Sequence, residues 1–123
     1  MTDHPIVVWT EIPVSDLNKA ARFYAEVFGW QMKRDDAGPN PVVNFTAAMS
    51  NASGHLYPGK PANNGDGPTV HLVLPDKLED GISRCQKAGG TVISPVIDIP
   101  PGRFAYALDP DGNSIGLFEP KAA

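Results

Sequence analysis

Apolar positions in Ile6 to Val14 alternate, which predicts a strand. Val8, Thr10, Ile12 and Val14 make one largely apolar face, and Val7, Trp9, Glu11 and Pro13 make the other. From Leu17 the period changes. Leu17, Ala20, Ala21, Tyr24, Val27 and Phe28 fall on one face of a helix. Ser15 or Asp16 can cap it by offering a side-chain oxygen to free backbone N–H groups, and Gly29 supplies a left-handed stop. Trp30 to Lys33 starts a second strand, Asp35 to Pro41 is turn chemistry, Val42 to Met49 is a third strand and Gly54 to Tyr57 a short fourth.

Pro58 to Pro68 (Pro-Gly-Lys-Pro-Ala-Asn-Asn-Gly-Asp-Gly-Pro) has no periodicity and reads as a connector. Beyond it the order repeats. Asp76 and Gly89 bracket a helix-like run at the same spacing as Asp16 and Gly29, sixty residues on. Thr69 to Leu74 is a strand, and Asp76 caps a helix whose Leu78, Ile82 and Cys85 share a face. Gly81 weakens that helix by up to about 1 kcal/mol relative to alanine. Gly89-Gly90 ends it, Thr91 to Ile93 and Phe104 to Leu108 are strands, and Asp109-Pro110-Asp111-Gly112-Asn113 is a tight reversal into Ser114 to Glu119. The reading is β-α-β-β-β, twice. A duplicated unit tends to place its binding site between the copies. One helix can cover only one face of each sheet, so the two sheets are expected side by side, curled into a cup.

Composition narrows the function classes. A chain of 123 residues, 41% hydrophobic and 20% charged, suits one compact domain. The net charge of −4 disfavours nucleic acid, whose binding needs a basic patch. No apolar run reaches the ~18 residues of a membrane span, and Met1-Thr2-Asp3-His4-Pro5 is unlike a signal peptide, so a cytoplasmic protein is expected. Cys85 is the single cysteine, which excludes a disulfide framework and a cysteine-based zinc site within the chain. Its helical position makes it a small core residue. A glycine-rich phosphate loop and a Gly-x-Ser-x-Gly elbow are both missing.

Ile12-Pro13-Val14-Ser15-Asp16-Leu17, followed by Phe23-Tyr24 and Phe28-Gly29-Trp30, resembles the opening of the vicinal oxygen chelate superfamily. That group includes glyoxalase I, fosfomycin-resistance transferases, extradiol dioxygenases and bleomycin-resistance proteins. Ala88-Gly89-Gly90 and Asp109-Pro110-Asp111-Gly112-Asn113 are similar to its second half. The resemblance implies an α+β fold: two tandem βαβββ modules whose curved mixed sheets form a cup with helices on the outside. Residues 1–123 then form a single glyoxalase-like domain, with module one at about 6–57, a linker at about 58–68 and module two at about 69–120. Family members of this length often pair, so a homodimer is expected.

In the superfamily's enzymes the cup usually holds a divalent metal through His, Glu or Gln. Carried onto this chain by the resemblance, the first ligand position is Trp9, whose indole cannot ligate such a metal, and the last is Gly116, with Gly54 as its counterpart in the first module. The remaining position falls on Val70 or Thr69, one or two residues before His71. A one-residue slip in a strand reverses the face, so whether His71 joins the site depends on register. The expectation is therefore no metal cofactor, with a divalent ion on Glu11, His55 and His71 as the alternative.

The candidate ligand-binding residues are Trp9, Glu11, His55, His71 and Tyr106. Trp9 is either a flat wall for an apolar ligand or a core or dimer-interface residue. Glu11 is the best catalytic candidate, as a base if desolvation raises its pKa, or else a solvated glutamate. His71 and His55 are ligands or hydrogen-bonded structural residues, and His4 is set aside. Of Phe45, Phe104, Tyr106 and Phe118, one or two line the cup, and Tyr106 can hydrogen-bond through its hydroxyl. Arg103 pairs with an anionic ligand or lies on the surface. The expected function is metal-independent binding of a small organic molecule in an aromatic-lined cup, as in bleomycin-resistance proteins. The alternative is a glyoxalase-like lyase or isomerase, or a dioxygenase, using an atypical metal site.

Overall fold

A computed structural model describes residues 6–7, 9–45 and 53–121. His4, Val8 and the far end of the strand expected at Val42–Met49 lie outside the described residues. The chain runs β1 (Trp9–Val14), α1 (Leu17–Phe28), β2 (Lys33–Asp35), β3 (Val42–Asn44), β4 (Ser53–Pro58), β5 (Val70–Val73), α2 (Leu78–Lys87), β6 (Thr91–Val92), β7 (Ile97–Ile99), β8 (Gly102–Leu108) and β9 (Ser114–Pro120). The result is α+β: two helices and two open mixed sheets.

The two sheets are built alike. The first has the order β1-β4-β3-β2 and the second β5-β9-β8-β6. In each, the first strand of the module runs parallel to the last, β1 beside β4 and β5 beside β9, and the other pairs are antiparallel. Glu11 pairs in register with His55, and sixty residues on His71 pairs with Gly116. The repeat in the sequence is thus a repeat in register.

Helix α1 forms as its pattern predicts. Asp16 accepts a hydrogen bond from Lys19 N at 3.0 Å, and Gly29 closes the helix at φ 73°, where a side chain would be strained. Its buried face carries Leu17, Ala20, Phe23, Tyr24, Val27 and Phe28. Helix α2 departs from expectation at its start. The N-cap residue is Lys77 and no side chain of that residue caps it. Asp76 instead holds Arg84 in a two-pronged ion pair at 2.7 and 2.8 Å. The capping duty falls to Glu119 on β9, whose Oε1 accepts from Leu78 N at 2.8 Å. A carboxylate from the sheet does this job because β9 passes beneath the helix N-terminus, which favours negative charge. Gly81 is explained by packing: a Cβ there would lie 2.6 Å from Leu74 Cδ1.

Two strand expectations need correction. The second strand begins at Lys33, not Trp30. Trp30 stacks on Phe28 at 4.7 Å and on Phe45 at 4.8 Å, so burial of its ring overrides the strand pattern. The Pro-rich stretch after Val92 also contains β7, unforeseen because Pro95 and Pro100 break its pattern. Strands β6 and β7 both pair with β8, Val92 opposite Ala107 and Ile97 opposite Phe104. They are one edge strand interrupted at residues 93–96, so the module keeps its βαβββ plan with a broken edge.

Both helices pack into one core. It joins Ile12, Val14, Phe23 and Leu56 of the first module to Leu72, Cys85, Ile115 and Leu117 of the second. Buried polar bonds lock the modules together. Tyr24 donates to Asp109 Oδ2 at 2.7 Å, and Asn113 Nδ2 donates to Pro13 O at 2.8 Å. Asp109 also accepts from Asp111 N, Asn113 N and Asn113 Nδ2. The Asp-Pro-Asp-Gly-Asn turn therefore docks the second module onto the first helix.

Candidate functional site: the seam between the two sheets

Alternation along the strands sorts the side chains. Ile12 and Val14 of β1 are buried under the helices, whereas Glu11 is exposed and Trp9 half-buried on the opposite face. In β5, Leu72 is buried and His71 and Val73 are exposed. The open faces thus carry Trp9 and Glu11 on one sheet and His71 on the other. A parallel pair puts register partners on the same side, so His55 stands beside Glu11.

Three of these groups form a chain. Trp9 Nε1–H donates to His55 Nδ1 at 3.2 Å, and His55 Nε2 lies 3.0 Å from Glu11 Oε2. An indole nitrogen can only donate. Nδ1 must therefore be the bare nitrogen, and the ring proton sits on Nε2 and is donated to Glu11. The Trp9 and His55 rings also meet edge to face, with centroids 5.6 Å apart. The side chain of His55 is 15% exposed and that of Glu11 is 64% exposed. Glu11 is thus a solvated carboxylate that orients His55.

The second sheet solves the same position differently. Where the first has Glu11 beside His55, this one has His71 beside Gly116. The His71 ring lies directly on the glycine: a Cβ at Gly116 would fall 2.0 Å from His71 Nδ1. The ring edge meets Phe104 at 4.7 Å and Phe118 at 6.2 Å, and Tyr106 leans on it at 5.8 Å. Desolvation by these neighbours lowers the His71 pKa from the ordinary 6.5, which favours the neutral ring.

A cavity of about 800 Å³ runs along the seam and is walled by Trp9, Trp30, Phe45, Val70, His71 and Leu72, with Glu11 also on its lining. Consecutive residues of β1 and β5 line it, from both faces, as expected of a space between strand edges. Among the described residues neither strand has a second partner, so their outer backbone edges border this space. Its size and apolar walls are those of a small-molecule site. A smaller cavity of about 370 Å³ lies across Glu11 and His55, against Asp35, Asn40 and Tyr57.

Of the five expected residues, Trp9, Glu11 and His71 line the large cavity. His55 stands behind Trp9 and lines the smaller cavity, and Tyr106 supports His71 from β8. Trp30 and Phe45 are wall residues that strand alternation could not assign. Trp30 follows the Gly29 stop, and the reversed chain drops it back onto Phe28. Arg103 faces neither cavity. It makes a bidentate pair with Glu79 at 2.6 and 2.8 Å and also binds Glu119, so its charge is used within the fold.

The positions that the family resemblance implies for a metal do not fit one. Trp9 has no ligating atom, the space over Gly116 is filled by the His71 ring, and Thr69 bonds its hydroxyl to Ser114. Gly54 is not the counterpart of Gly116, because it alternates with buried Leu56 and a Cβ there would meet Thr10 O at 2.3 Å. The alternative trio is not assembled either. Glu11 and His55 touch, but His71 packs on the other sheet, and among the described residues no group of three His, Cys, Asp or Glu stands together.

Two repeated helix-bearing sheets around an apolar seam define a class, and comparison with known proteins agrees. The chain belongs to the Glyoxalase/Bleomycin resistance protein/Dioxygenase superfamily, whose family model matches residues 6–117. It is 25% identical over 119 residues to CFP32 of Mycobacterium bovis, provisionally described as a glyoxylase. That match takes in 90% of this chain and 44% of CFP32, so the chain spans less than half the length of that relative. A glyoxylase-like domain-containing protein of Didymella fabae is 28% identical over 121 residues, 93% of each chain. Among solved structures, TnmS3, an antibiotic binding protein from Streptomyces sp. CB03234, superposes with a TM-score of 0.66 at 27% identity, over 98% of this chain and all of that one. No helix among the described residues is long and apolar enough to cross a membrane.

Proposed function

We propose that this protein binds a small, largely apolar organic molecule in the seam cavity without help from a metal ion, so that sequestration is its activity. The observation that carries this reading is the cavity itself: about 800 Å³ with Trp9, Trp30 and Phe45 in its wall and, among the described residues, no group of three metal donors. The likeness to an antibiotic binding protein supports it. In this reading the ligand's flat apolar body lies against Trp9 and Trp30, and the neutral edge of His71 and the free strand edges supply hydrogen bonds. The protein works as a cytoplasmic homodimer.

Both tryptophans of the chain line the cavity, so their fluorescence reports on it directly. A panel of aromatic antibiotics and the apolar dye anilinonaphthalenesulfonate, titrated in the presence of EDTA, should change tryptophan emission with saturable binding. Trp9→Ala should weaken that binding about tenfold, the loss of roughly one aromatic contact plus its buried area. Absence of saturable binding by every compound, or a turnover abolished by EDTA, overturns the reading. Sedimentation velocity tests the dimer.

One observation favours a second reading. The Glu11 carboxylate borders both cavities with one oxygen 3.0 Å from His55 Nε2, and a carboxylate so placed can act as a general base. Under that reading an isomerase or lyase activity persists in EDTA and disappears in Glu11→Gln.

A further inference from the structure

We infer that His55 is the residue that positions the Trp9 wall of the cavity, through the hydrogen bond that it accepts from the indole. The inference rests on the proposed use of the seam cavity. Trp9 has one polar atom, and its partner is His55 Nδ1 at 3.2 Å. The ring of His55 is itself held by Glu11 at Nε2, which fixes the tautomer with a bare Nδ1. Register sets the pair: His55 sits opposite Glu11, two residues from Trp9 on the same face. The second module has no such device, since Thr69 stands where Trp9 does and Gly116 where His55 does.

Without that acceptor the indole N–H has no other partner among the described residues, and Trp9 is free to swing across the cavity. The His55 ring is held in place by Glu11 from β1 and meets Tyr57 on β4 edge-on at 6.2 Å.

The test follows the indole N–H of Trp9 by NMR in the whole protein, assigned with Trp9→Phe. In the wild type the Trp9 signal should be protected from exchange. His55→Asn keeps an acceptor near the Nδ1 position, so its Trp9 signal should stay protected. His55→Leu should be unprotected, and its binding of anilinonaphthalenesulfonate about threefold to tenfold weaker, the worth of one hydrogen bond. If the wild-type signal is unprotected, or protection is lost in His55→Asn or kept in His55→Leu, the inference is wrong. The wild type and His55→Asn decide the matter even if His55→Leu does not fold. Failure of every compound to bind would sink the proposed function while leaving the indole result to be read.

Discussion

Adding a single methyl group at Gly116 should evict His71 from the sheet. The new Cβ would lie 2.0 Å from His71 Nδ1, 2.6 Å from Cε1 and 2.7 Å from Cγ. Comfortable contacts begin near 3.5 Å, so the ring must retreat by about 1.5 Å or turn away. Either movement breaks its edge contacts with Phe104 and Phe118. Aromatic contacts of this kind are worth about 0.5–1.5 kcal/mol each. Replacing a strand glycine with alanine returns about 0.5–1 kcal/mol. Gly116→Ala should thus be destabilised by about 1 kcal/mol, measured from the urea midpoint. It should also raise the His71 pKa back toward 6.5, because the cause of its lowering, desolvation against the sheet, is removed. The sign of the pH effect follows. With a lowered folded pKa the native state binds fewer protons than the unfolded one, so wild-type stability falls as pH drops through 6.5 toward the folded value. That slope should flatten in Gly116→Ala. A variant that is more stable than wild type, with the His71 ring signal titrating unchanged, would show that the ring does not rest on the glycine.

Three further outcomes are expected. Tyr24→Phe removes a fully buried donor to Asp109 and should cost about 1.5–3 kcal/mol, a urea midpoint lower by about 1 M; a shift below a few tenths molar would mean the inter-module bond is not formed. Burial also raises the Tyr24 pKa well above 10.0, so the hydroxyl stays a donor across the working range. Cys85 is fully buried, and desolvation pushes its thiol up to about 11, so a thiol reagent should label it only after urea unfolding, and prompt labelling of native protein would contradict the packing. Glu119 is held below the ordinary carboxylate range by Leu78 N–H and then Arg103, Glu79 by Arg103, and Asp76 by Arg84. Their stabilisation is present above the unfolded carboxylate values and should be lost as pH falls through the folded ones; Glu119→Gln should weaken that acid dependence and speed hydrogen exchange at Leu78, and unchanged exchange would exclude Glu119 as the cap.

The fold was legible in the chain because its signals are local. Asp16 and Gly29 act on the nearest turn of backbone, and alternation along β1 assigns faces residue by residue. The repeat was visible as the spacing of sixty from Asp16 to Asp76, whereas the face of His71 was left open until β5 was placed beside β9. The site was legible only in part. Trp9 and Glu11 follow from alternation on one strand, but the partnership of Trp9 with His55 depends on which residue β4 sets beside Glu11, across 44 positions of sequence. Glu119 as the cap of α2 was invisible for the same reason: the expected cap, Asp76, is adjacent in sequence, and the actual one arrives from the last strand.

By itself the sequence determined the two repeated βαβββ units, the buried face of each helix and the alternation of faces along β1. These depend on residue identity and short-range geometry. The tertiary structure alone decided that His71 lies on Gly116, that Arg103 is spent on Glu79 and Glu119, and that Trp30 joins Trp9 in one cavity wall. Each of these is a contact between segments far apart in the chain, chosen by how two sheets and two helices share a single core. No periodicity along one strand carries that information, because packing between elements acts on volumes and directions that exist only once both elements are in place.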